Sequence, residues 1–159
     1  MTASLATGLH ALSAVLWVGG MFFAYQVLRP AMGSLNSPPE RLKLWVQVFR
    51  RFFPWVWAAV VLLPATGYVL MLNQYGGFED APIHVHWMHG TGWLMIALYI
   101  YLYFAPYRAL TAAVAAEDWP TGGAQLAVIR KIVGTNLLIG LATVALGATG
   151  RFWAWLPGN

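Results

Sequence analysis

Residues 83–93, IHVHWMHGTGW, hold three of the chain's four histidines, His84, His86 and His89; the fourth, His10, lies in the first apolar run. Neutral imidazole is a common ligand of iron, copper and zinc. His86 and His89, three residues apart, share one face if the segment is helical. The chain has no cysteine, which excludes disulfides, thiolate metal sites and iron–sulfur clusters.

Two ligands suit such a set. A b-type haem needs two axial bases, a flat apolar slot and a cation for its propionates. His10 and His89, or His86 in its place, supply the bases. Gly20 (next to Gly19), Trp17 and Trp93 wall the slot, and Arg151 meets a propionate. The function would then be one-electron transfer or redox or haem sensing, with a quinone or another redox partner. Alternatively a copper or zinc ion takes His86 and His89 with His10 as third ligand, and His84 and Met88 stand near the mouth. His84 lies closest to the acidic loop and is expected to be wet. The tyrosines 99, 101, 103 and 107 are expected to serve packing and the membrane interface.

The elements that must position these residues follow from composition. Of the 159 residues 60% are hydrophobic and 9% charged, where a soluble domain carries about a quarter charged residues. The chain cannot cover a water-facing surface, so it reads as a membrane protein. A helical span needs about 20 apolar residues. Charge-free stretches at 1–28, 52–78, 81–107 and 132–150 predict four transmembrane helices at about 4–28, 52–73, 85–107 and 127–151. They form one all-α, four-helix bundle domain over residues 1–159. The first run carries no Lys or Arg and is read as a retained helix.

Charge distribution sets the orientation. Arg29, Arg41, Lys43, Arg50 and Arg51 lie between helices 1 and 2, and Arg108, Arg130 and Lys131 between helices 3 and 4. The 2–3 loop has Glu79 and Asp80 and no base. By the positive-inside rule both termini and the acidic loop are outside, as in a multi-pass protein of a bacterial inner membrane. The net charge of +4 therefore reflects lipid-facing topology rather than a nucleic-acid partner. All four histidines and Arg151 then share the outer end. Ionisable groups at membrane depth must find partners inside the bundle. Residues 37–53, SPPERLKLWVQVFRRFF, predict an amphipathic helix lying in the cytoplasmic headgroups, capped by Ser37 and Glu40. Asn136 in helix 4 reads as interhelical glue, and Gly134, Gly140, Gly147 and Gly150 as close-packing positions. Oligomeric state is unknown from sequence.

LHALSAVLWVGGMFF, with Trp-Val-Gly-Gly seven residues after His10, resembles helix 1 of the CopD (copper resistance D) membrane domain and of the related HemJ-type protoporphyrinogen oxidases. Trp87-Met88-His89 before an apolar helix, and Arg130-Lys131 leading to Asn136, are similar to helices 3 and 4 of that superfamily. The resemblance implies a four-helix membrane bundle that binds haem b through His10 and His89, or one linked to copper uptake. HemJ-type enzymes carry a lysine where this chain has Thr91, which argues against porphyrinogen oxidation.

Overall fold

The computed structural model describes residues 2–35 and 37–153, the side chain of Arg151 excepted. Four helices long and apolar enough to cross a membrane follow one another: α1 Ala3–Met32, α2 Pro38–Tyr75, α3 Ile83–Ala115 and α4 Trp119–Thr149. There is no strand among the described residues. α1 winds as a π-helix at Val15–Gly19 and Phe23–Leu28, and α3 does so at Tyr103–Tyr107, around Pro106. α4 ends in a 3-10 turn, Gly150–Phe152.

The helix starts follow capping chemistry. Thr2, Ser37 and Asp118 each accept a backbone N–H from three residues on, at Leu5, Glu40 and Thr121. Each satisfies a donor that has no partner within its helix. Pro38 occupies the first turn of α2, where a missing N–H costs nothing. α2 stops at Gly76, whose φ of 78° is a left-handed conformation that glycine adopts freely. Pro54 and Pro64 lie within α2 without ending it.

α1 packs along α2, and α3 along α4. Gly140 of α4 marks where three helices meet: a side chain there would strike Val18 of α1 and Met95 of α3. Asn136 donates Nδ2–H to the Met95 carbonyl at 3.2 Å, the interhelical bond its type and position predict. Outward residues such as Val15, Val61 and Leu138 are more than 60% exposed. In water that surface would aggregate, but in a bilayer it is matched to its solvent. Cohesion inside the bundle therefore rests on close packing and interhelical hydrogen bonds, since lipid tails compete equally for apolar contact.

The amphipathic segment differs from expectation. Residues 38–53 are the first turns of a single 38-residue helix, not a separate helix in the headgroups. Their apolar face, Leu42, Trp45, Phe49 and Phe53, is buried. Trp45 thus belongs to the core. Phe49 and Phe53 stack at 5.1 Å, and Trp45 stacks on Phe49 at the same distance. The cause lies in the partners. α3 runs on to Ala115 and α4 begins at Trp119, so both extend beyond the predicted spans. Leu42 of α2 and Leu110 and Ala113 of α3 meet around Gly122 of α4. That protein surface covers the apolar stripe.

A histidine-bearing end and a basic cleft

His84, His86, His89 and His10 all lie at the end of the bundle that carries the 76–82 loop. His10 sits two turns into α1 and leans on α2, its Nδ1 2.9 Å from Thr66 Oγ1 and its ring against Gly67, where a Cβ would touch Cε1 at 3.4 Å. Thr66 is buried, and its hydroxyl lies 2.5 Å from the Leu62 carbonyl. A hydroxyl has one proton to donate, and here the carbonyl takes it. Thr66 must therefore accept from His10 Nδ1–H. That fixes the tautomer and leaves Nε2 of His10 with a lone pair, the state in which an imidazole ligates a metal.

His89 is fixed differently. The Trp93 indole N–H donates to His89 Nε2 at 3.1 Å, and the Tyr68 hydroxyl lies 2.8 Å from the same atom. Indole N–H is only a donor, so Nε2 of His89 carries the lone pair and Nδ1 the proton. His86 Nε2 lies 3.0 Å from the Ala81 carbonyl, to which it donates, leaving its Nδ1 as the lone-pair atom. The Phe78 ring meets both His86, at 4.3 Å, and His89, at 5.1 Å.

Against the expectation that it is wet, His84 is 6% exposed, and among the described residues its Nδ1 has no hydrogen-bond partner. The missing side chain of Gly150 lets the end of α4 close over the ring, which also meets Trp153 edge-on at 6.5 Å. Met88, expected near the histidine mouth, instead turns towards Gly147 of α4.

The remaining candidates separate. Trp93 is a neighbour of His89, as above. Trp17 is buried at mid-bundle, edge-on to Tyr99 at 6.1 Å. Gly20 does open space, but the Phe52 ring of α2 fills it. The Arg151 side chain lies outside the described residues. His10 and His89 both reach α2, at Thr66 and at Tyr68. These positions are about 200° apart around a helix that turns roughly 100° per residue. The two imidazoles thus engage different faces of α2. The walls assigned to a haem slot are occupied by protein, so a flat macrocycle does not fit these residues as they stand. Among the described residues no three His, Asp or Glu side chains gather in a way that could hold a metal ion. Thr91, in the place of the oxidase lysine, joins the α3–α4 interface: its hydroxyl bonds the Trp87 carbonyl and receives Thr143 Oγ1, both at 2.8 Å.

Sequence reasoning missed Thr66, Tyr68 and Phe78. The signal for Thr66 was a hydroxyl in an apolar span two residues after a proline. Nothing local pointed to Tyr68 or Phe78.

At the opposite end, where the bases lie, a cleft runs between α1, α2 and α4. Trp17, Phe49, Phe53 and Tyr99 line its floor, and Arg29 and Arg130 border it. Asn136 lines it too, with Oδ1 buried and without a hydrogen-bond partner among the described residues.

Four helices long and apolar enough to cross a membrane define a multi-pass membrane protein. The family described as Copper resistance protein D matches residues 46–149, and the chain belongs to that family. It is a membrane protein related to copper resistance. No curated protein and no solved structure matches the chain.

Proposed function

We propose that the protein handles copper ions as cargo at its histidine end, the outer face by the positive-inside rule, in a bacterial inner membrane. The observation that carries this reading is the His10–Thr66 pair, which holds a half-buried imidazole in the metal-ready tautomer. His86 leaves its Nδ1 lone pair open, while the His89 lone pair is held by Trp93 and Tyr68. Imidazole suits copper, and separated ligands suit transfer better than storage. An ion that must move on needs sites weak and numerous enough to leave. His89 releases its lone pair when Tyr68 and Trp93 swing away, so it serves as a later station than His10. The haem reading, with electron transfer to a quinone, lacks a slot between these rings.

The test is copper binding by the purified protein in detergent, measured by competition with a chromogenic copper chelator. The parent retains copper, and His10→Ala and His89→Ala each weaken retention. A preparation with a Soret band and no copper, or unchanged retention in the double variant, would overturn the proposal.

A further inference from the structure

The basic cleft is unexplained by copper handling, and it is built rather than incidental. Arg29 and Arg130 come from different helices and border one opening. The Arg29 guanidinium lies over the Tyr25 ring at 5.0 Å. That ring rests on Gly134 of α4, where a Cβ would meet it at 3.0 Å. Gly134 is one turn from Arg130, so Tyr25 joins the helix of Arg29 to the part of α4 that carries Arg130. Arg130 gives Nε–H to the Leu126 carbonyl at 3.4 Å, and among the described residues neither guanidinium meets a carboxylate. Two such forks bordering one opening suit an anion, and a guanidinium pairs with phosphate in bidentate geometry.

We propose that the cleft between α1 and α4 holds the phosphate head of an anionic phospholipid from the leaflet at the basic end, clasped by Arg29 and Arg130. The level favours a lipid over a soluble anion. The outward surfaces of the same two helices carry exposed Phe23, Val27 and Val128, apolar ground that acyl chains can cover outside the cleft. The cleft as a whole encloses ≈ 40 Å³, and Asn136 is among the residues that line it. That suffices for water, which needs about 10–15 Å³ of such space, and a water there would satisfy the Asn136 Oδ1. The bound head would tie α1 to α4, which share no side-chain hydrogen bond among the described residues.

The experiment compares the parent with Arg29→Gln/Arg130→Gln and with Arg50→Gln/Arg51→Gln, which removes the same charge away from the cleft. Each is taken in uncharged detergent with phosphatidylglycerol, with phosphatidylcholine or with inorganic phosphate alone. Lipid retention is read by native mass spectrometry and the unfolding temperature by a thermal melt. The parent and the 50/51 variant retain phosphatidylglycerol and melt higher with it, and the 29/130 variant loses both effects. Equal retention by both double variants overturns the proposal. So does an equal rise with inorganic phosphate, which would make the occupant a soluble anion. If the glutamine pair fails to fold, Arg29→Lys/Arg130→Lys keeps the charge without the fork and is expected to retain less lipid; retention equal to the parent overturns the assignment. Copper retention by the 29/130 variant stays at the parent level, which separates this site from the histidine end.

Discussion

His10 of α1 gives its Nδ1 proton to Thr66 of α2 across 2.9 Å, while Thr66 gives its own to the Leu62 carbonyl. One chain of two hydrogen bonds thus joins two helices and chooses the free nitrogen of the imidazole. Thr66→Val keeps the shape and removes the acceptor. A half-buried donor left without its partner costs about 1–3 kcal/mol. We expect a lower melting temperature in detergent and weaker copper retention, with both restored in Thr66→Ser. Parent-like copper retention in Thr66→Val would break the link between tautomer and ligation.

Trp93 and Tyr68 compete with any metal for the His89 lone pair. Trp93→Phe removes one competitor while keeping a ring. Copper retention is therefore expected to tighten in Trp93→Phe and further in Trp93→Phe/Tyr68→Phe. Chelator competition checks the order, and weaker retention in either variant would show that these donors support the ligand instead of blocking it.

Gly140 lets Val18 and Met95 close on α4. Gly140→Leu overfills that junction, at a cost of about 1–3 kcal/mol. Thermal melts should show the loss, with partial recovery in Gly140→Leu/Met95→Ala. By contrast Asn136→Leu gives up one interhelical bond but also removes an unpartnered acceptor. Its stability is expected within about 1 kcal/mol of the parent.

Asp118 caps α4 outside the spans. Hydrogen bonds from the Thr121 hydroxyl and backbone N–H hold its carboxyl below the usual carboxylate range. The sign follows from the charged form being favoured in the folded state. The cap contributes above the ordinary carboxylate pKa and is lost as pH falls through the lowered value. Asp118→Ala should melt lower than the parent at neutral pH, and the difference should close in strong acid. Melting curves as a function of pH test this directly.

The four spans, their order and the segregation of charge were legible in the sequence because each is a local property. Hydropathy over 20 residues, a capping Ser37 and the placement of nine bases need no knowledge of neighbours. The clustering of the histidines at one end also followed, since depth is set by counting residues along a helix. Which atom each imidazole meets did not follow. Two positions along α2 rotate a side chain by about 200°, so whether His10 and His89 share a partner depends on how the helices are turned against each other. The burial of His84 under Gly150, the filling of Gly20 by Phe52 and the cover over Trp45 depend likewise on contacts between distant segments. Sequence determined a four-helix membrane bundle with its imidazoles toward one end and left haem and copper both open. Tertiary packing alone decided which lone pairs are free, because a side chain's hydrogen-bond partner is set by the helix across from it.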